Sequence, residues 1–157
     1  MPCLLSVNAE PIEVFANPLA LGAGIHIHGA NGTLIYRGGF ELVSSDVRFG
    51  GLSGLIITRD GSTLVAISDR GWWYRSTIAY DQGGNLASIN VAELLPIRSV
   101  DGQSVGAGDW SDAEALLRLP SGELVVAFER RHRLWRYSDI HSSARPTPAG
   151  SIFSDLP

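Results

Sequence analysis

Cysteine is almost absent from this chain: Cys3 stands alone, so no internal disulfide framework can hold the fold. No apolar run approaches the roughly 20 residues that a membrane-spanning helix needs. Nowhere does a 3.6-residue hydrophobic period persist over the length of a helix, which argues against a helical domain. Positive charge is not in excess either. With a formal net charge of −4 and a pI near 5.5, the chain offers no general attraction to a phosphate backbone, so nucleic acid is not an expected partner. Its 45% hydrophobic content is too high for a disordered chain, and 157 residues suffice for one ordinary domain.

What the chain has instead is glycine, 18 residues of it, punctuating short apolar runs. The stretch 49–71, FGGLSGLIITRDGSTLVAISDRG, holds two such runs separated by Arg59-Asp60-Gly61-Ser62. Two β-branched runs around an Asp-Gly turn predict a β-hairpin, because glycine tolerates the positive φ that tight turns require. The second run ends in Ser68-Asp69-Arg70-Gly71, which sets opposite charges side by side where strand meets loop. The stretch 112–137, DAEALLRLPSGELVVAFERRHRLWRY, has the same plan around Pro120-Ser121-Gly122 and ends in Glu129-Arg130-Arg131. Gly122 follows Gly61 by 61 positions and Glu129 follows Asp69 by 60. An internal repeat on that scale predicts an array of similar sheets.

Extending the same reading, residues 52–91 hold four consecutive strands, the size of one β-propeller blade. Residues 12–43, with Asn31-Gly32 as a hairpin signal, read as a first, degenerate sheet unit. The Gly-rich, polar stretch 94–110 reads as a connection or insertion. A third unit begins at Asp112, and its fourth strand must come from within 147–153. The expected architecture is therefore all-β, a partial β-propeller of about three four-stranded antiparallel blades over residues 12–157, half of a six-bladed ring. Residues 1–11 read either as the tail of an export signal, given the apolar run from Cys3 to Val7 and the small residues near Ala9, or as a frayed N-terminus. The first alternative makes the protein periplasmic or secreted, and a true start at Met1 makes it cytoplasmic.

The segments YRGGFEL, FGGLSGL, ISDRG and DAEALLRLPSGELVVAFERRHRLWRY resemble the N-terminal half of the phytase-like family described as having esterase-like activity, a group of bacterial β-propeller proteins. The resemblance covers most of residues 12–137. It implies an exported protein with phosphoester-hydrolase or esterase activity, and a ring that this chain would fill only halfway. A half ring leaves apolar sheet faces open to water, so the missing C-terminal half or a second copy is expected to close it.

In a propeller, the loop entering the innermost strand and the loop between the second and third strands share one face. That frame gathers Ser53, Asp69, Arg70, Glu114, Glu129, Arg130 and Arg131 at one mouth of the channel. Asp69, Glu114 and Glu129 are the candidate catalytic residues and ligands for a divalent cation, Ca²⁺ foremost, since converging carboxylates suit it. Arg70, Arg130 and Arg131 are the candidate phosphate ligands, guanidinium matching phosphate in bidentate geometry. A cation there would serve phosphoester hydrolysis. For Asp69 and Glu129 an ion pair between blades competes with this reading, because arginines follow them directly, and a non-catalytic binding face remains the alternative function.

Weaker candidates complete the survey. His26 and His28 alternate along one strand but lack a third ligand, and His132 among Arg130, Arg131, Arg133 and Arg136 reads as part of a solvated face. Trp72, Trp73, Trp110 and Trp135 are expected to pack between blades, with Trp72 and Trp73 near enough to the mouth to line it. Ser53 in GLSGL lacks the spacing and strand–turn–helix context of a hydrolase nucleophile elbow.

Overall fold

The computed structural model describes residues 9–20, 26–29, 32–140 and 145–149, and among them every regular element is a β-strand. In chain order these are β1 (Glu10–Ile12), β2 (Phe15–Pro18), β3 (His26–Gly29), β4 (Gly32–Ile35), β5 (Phe40–Val43), β6 (Leu52–Ile57), β7 (Thr63–Ser68), β8 (Trp72–Tyr80), β9 (Leu86–Pro96), β10 (Ala113–Arg118), β11 (Leu124–Phe128), β12 (Arg133–Tyr137) and β13 (Thr147–Pro148). They form a five-stranded sheet in the order β1-β9-β8-β7-β6, a four-stranded sheet β10-β11-β12-β13, and the two-stranded ladders β2-β5 and β3-β4. All pairings are antiparallel and no sheet closes on itself.

The two hairpins expected from the sequence carry the same register. Leu52 pairs with Ser68, Leu55 with Ala66 and Ile57 with Leu64 in the first. Ala113 pairs with Phe128, Leu116 with Val126 and Arg118 with Leu124 in the second, each partner 61 or 60 positions further on. Both edge strands gain one extra residue at the same point, a β-bulge between Leu52 and Leu55 and another between Ala113 and Ala115. The turns match as well: the amides of Gly61 and Gly122 each donate to the carbonyl three residues back, at 2.9 Å. In the first turn Asp60 also accepts from Thr58 Oγ1 at 2.6 Å and from the Ser62 amide at 3.1 Å, which holds its carboxyl at about 2, below the usual range.

β7 and β11 are buried on both faces over most of their length, which is why TLVAIS and LVVAF read as continuous apolar runs. Between the two large sheets lies the main core, with Val65, Ile67, Trp73 and Leu95 facing Leu124, Val126, Phe128, Trp135 and Tyr137. Trp73 meets Tyr137 edge-on with ring centroids 5.3 Å apart, and Phe128 meets Trp135 at 5.1 Å. Burial pushes the Tyr137 hydroxyl upward in pKa, and it stays satisfied by donating to the Arg98 carbonyl at 2.8 Å. The edge strands β6 and β10 touch at Gly54, where a Cβ would lie 2.6 Å from the Leu116 amide nitrogen. Only glycine lets the two backbones approach that closely.

The other face of the five-stranded sheet packs Ala66, Tyr74, Ala92 and Leu94 against Ile12, Val14, Leu42 and Phe49 from the N-terminal segment. This is where the structure departs from a first blade over residues 12–43. Those residues split into the ladder β2-β5 and the small hairpin β3-β4, while the preceding strand β1 joins the edge of the next sheet through β9. Two-stranded ladders cover little of either face, and Leu34, Ile35, Phe15 and Val43 stay exposed. The fourth strand sought within 147–153 is found as β13, paired through Pro148 and Thr147 to Trp135 and Arg136. Residues 1–8, including Cys3, and the Ala30-Asn31 turn lie outside the described residues.

Candidate functional site

The ends of β7 and β11 lie on the same side of the molecule, joined by the loop that enters β10. Ser111, almost fully buried, has its hydroxyl 2.8 Å from the Asp69 carbonyl, and the Glu129 amide donates to the Asp112 carbonyl at 2.8 Å. The equivalent bond in the first hairpin runs from the Asp69 amide to the Gly51 carbonyl at 2.9 Å. Gly51 and Asp112 thus occupy matching places, as do Ser53 and Glu114, Asp69 and Glu129, and Arg70 and Arg130.

At the second hairpin this frame produces a cluster. One carboxylate oxygen from each of Asp112, Glu114 and Glu129 lies within 4.8 Å of the others. Asp112 and Glu114 flank Ala113 at the mouth of β10, and the bulge leaves Glu114 without a ladder partner. A bulge re-aims the side chain it carries, which is how a glutamate inside an apolar run turns toward Glu129. Arg130 closes the rim: its Nε donates to Asp112 at 2.8 Å and its Nη1 to Asp109 at 3.3 Å, and these carboxylates raise its already high pKa. Arg131 lies over the exposed Trp110 ring at 4.7 Å from the centroid. Arg133 stacks on Phe128, Trp135 and Trp110 and donates to the Trp110 carbonyl, so the arginines after β11 buttress the loop that carries Asp109 and Asp112.

The first hairpin, on the same frame, holds its groups differently. Asp69 lies apart from the three-carboxylate group and folds against Gly51, where a Cβ would sit 1.7 Å from Asp69 Oδ1. That oxygen is buried without a hydrogen-bond partner. Arg70 turns away from it and donates to the carbonyls of Val47 and Phe49 at 2.9 and 2.7 Å, anchoring the loop that enters β6. Of Asp69, Glu114 and Glu129, the structure brings Glu114 and Glu129 together, with Asp112 rather than Asp69 as the third carboxylate. The signal for Asp112 was present in D-A-E, two acids one residue apart at a strand entry, but that position reads equally as the start of a unit.

The remaining candidates fall where plain packing puts them. Ser53 is exposed and donates to the Gly51 carbonyl at 3.3 Å. His28 Nδ1 lies 3.0 Å from Thr33 Oγ1 on the exposed β3-β4 hairpin, and His132 is exposed. Trp73 and Trp135 pack between the sheets, and Trp72 is half-buried beneath Arg48 at 5.2 Å. Trp110 corrects the expectation for the fourth tryptophan, lying exposed at the rim because arginines, rather than a sheet, cover its face.

Three carboxylates presented together are hard oxygen donors, and such a set fits Ca²⁺, which takes several oxygen ligands in flexible geometry. It does not fit a metal that selects thiolate or imidazole, since no cysteine or histidine belongs to the group. Comparison with known proteins adds one match. A family model described as Phytase-like, esterase-like activity of phytase, matches residues 47–154, a span that takes in both hairpins and the whole acidic group and leaves out YRGGFEL. No curated protein and no solved structure matches.

Proposed function

This chain belongs to the phytase-like family, described by its esterase-like activity, and from that premise we propose that it hydrolyses a phosphoester at the Asp112–Glu114–Glu129 site. The observation that carries the reading is the convergence of those three carboxylates at the strand ends beside exposed arginine. Asp112, Glu114 and Glu129 would hold a divalent cation, Ca²⁺ by the chemistry of the donors. When bound, such a cation polarises a phosphoryl oxygen and lowers the pKa of a coordinated water. Arg131, steadied by Trp110 and exposed, supplies the guanidinium for the substrate phosphate, and Arg130 fixes Asp112 while keeping its second terminal nitrogen for the same group. Arg70, committed to two backbone carbonyls, serves the loop instead.

The two large sheets fit neighbouring blades of a propeller. Their matched registers, the core between them and the contact of the edge strands at Gly54 support that arrangement. Leu117, Leu55 and Ile57 are left exposed on the edge strands, and further units, from more chain or a second copy, would cover them. On this view the purified chain self-associates in sedimentation velocity; a well-behaved monomer at all concentrations would contradict it.

The activity is tested with p-nitrophenyl phosphate against p-nitrophenyl butyrate, with added Ca²⁺ or a chelator. The expected result is phosphate release that requires Ca²⁺ and falls about a hundredfold in Glu129→Gln. Cleavage of the carboxyl ester alone, indifferent to chelation, would overturn the phosphoester reading. Ca²⁺ binding without turnover of either ester would mark the same face as a non-catalytic binding site.

A further inference from the structure

At the turn ends of the hairpins, away from the acidic group, the two large sheets part and leave a cleft of about 460 Å³. Its walls include Thr63 from β7, Arg75 and Thr77 from β8, Glu93 from β9, Arg118 at the end of β10 and Ser138 just after β12. Glu114 and Arg118 sit at opposite ends of β10, roughly 13 Å apart at about 3.3 Å per residue. The cleft is therefore a place of its own, and its volume lies in the range of small-molecule sites.

The two arginines on its walls differ. Arg75 is neutralised by Glu93, to which its Nε donates at 2.9 Å and its Nη2 also donates. Arg118 has no such partner. Its Nε is shielded from solvent without an acceptor, and its guanidinium makes no hydrogen bond or ion pair with any described residue. The other half-buried arginines each reach one: Arg48 on Asp46, Arg98 on the Gly102 carbonyl, Arg133 on the Arg131 carbonyl and Arg136 on Glu123. Asp139, the second acid on the wall, accepts from the Ser138 hydroxyl at 3.3 Å. A half-buried guanidinium facing a cleft without an acceptor is an incomplete hydrogen-bonding arrangement, and an oxyanion completes it.

We propose that this cleft binds a small organic anion whose phosphate or carboxylate group is received by Arg118, within walls that also include Thr63. With Arg75 balanced by Glu93, the unpaired Arg118 guanidinium is what selects an anionic group, and the cleft volume suits a small molecule. The site is independent of the hydrolytic reading, since it shares no residue with the acidic group.

The test follows arginine Nε–Hε resonances of the ¹⁵N-labelled full chain during titration with sodium phosphate and, separately, sodium succinate at constant ionic strength. The Arg118 resonance, assigned with Arg118→Lys, is expected to move and saturate with at least one anion, and which anion does so identifies the ligand class. The dissociation constant is expected to rise at least tenfold in Arg118→Met and to stay unchanged in Glu129→Gln. An Arg118 signal indifferent to both anions would overturn the site, as would equal affinity in Arg118→Met or parallel unsaturated drift of all arginine signals. Should Arg118→Met fail to fold, the wild-type resonance alone decides.

Discussion

The two hairpins share a register, a bulge and a turn, and they end in similar residues, Asp69-Arg70 and Glu129-Arg130, yet they use those residues in different ways. At the first, the aspartate folds inward over Gly51 and the arginine staples a loop through its carbonyls. At the second, the glutamate faces solvent beside two further acids, and the arginine holds one of them. The difference traces to the edge strand rather than to the strand ends. Where the first hairpin has Gly51 and Ser53, the second has Asp112 and Glu114. A missing side chain at position 51 leaves room for Asp69 to fold in, and a carboxylate at the matching position 112 instead contributes to a cluster. Chemistry on this frame is set by what faces the strand end as much as by the strand end itself.

The comparison is broken most severely at Gly51. Its φ of +59° strains any residue with a Cβ, and Asp69 Oδ1, 1.7 Å from where that atom would lie, must swing away, so Gly51→Ala is expected to cost about 1–3 kcal/mol in urea unfolding. Asp112→Ala, at the equivalent place, is expected to cost about 1 kcal/mol or less, since it strains no backbone and the ion pair it removes has its arginine end exposed. Equal costs at the two positions would mean that the hairpins are not built alike around different contents.

Converting the second hairpin into the first sharpens the point. The double substitution Asp112→Gly with Glu114→Ser is expected to weaken Ca²⁺ binding by more than about tenfold while the fold, followed by near-ultraviolet circular dichroism, persists. Retained binding would locate the cation elsewhere. A smaller effect is expected from Arg130→Met, which removes a cation competing for Asp112: Ca²⁺ should bind a few-fold more tightly, and more so at low salt. Weaker binding there would show that Arg130 organises the site rather than competing for it.

The smallest effect concerns the loop that enters the first hairpin, clamped by Arg48 against Asp46 and Glu10 as Arg130 clamps the second. Hydrogen bonds from Arg48, side chain first and backbone second, hold Asp46 at about 2 against its usual 3.8. Because the folded value is depressed, the pair favours the folded state fully above the usual value, and the contribution disappears as pH falls through about 2. Carboxyl NMR is expected to place the Asp46 midpoint at about 2 and to move it toward 3.8 in Arg48→Met. An unmoved midpoint would remove Arg48 as the cause.

Much of this frame was legible in the residues alone. Asp60-Gly61 and Ser121-Gly122 marked both turns, and the continuous runs of β7 and β11 announced strands covered on both faces. Glu129 was legible as a candidate because an acid stands at the matching strand end, Asp69, and Glu114 because it interrupts an apolar run. Asp112 was visible in D-A-E only as the start of a unit, because its approach to Glu129 depends on the pairing of β10 with β11. The inward turn of Asp69 was not legible, since it depends on a glycine eighteen positions earlier with no side chain to resist it. In residues 12–43 short alternating runs announced strands but not their partners, and β2 pairs with β5 while β3 pairs with β4.

Calorimetric titration of Ca²⁺ into the full chain and two variants shows most directly whether the cation site belongs to the second hairpin alone. Weak binding is expected for the wild type, at about 10⁻⁴–10⁻³ M given two exposed carboxylates and one half-buried, with the same affinity in Asp69→Asn and loss of binding in Glu129→Gln. Binding that disappears in Asp69→Asn but survives in Glu129→Gln would contradict an assignment to the second hairpin.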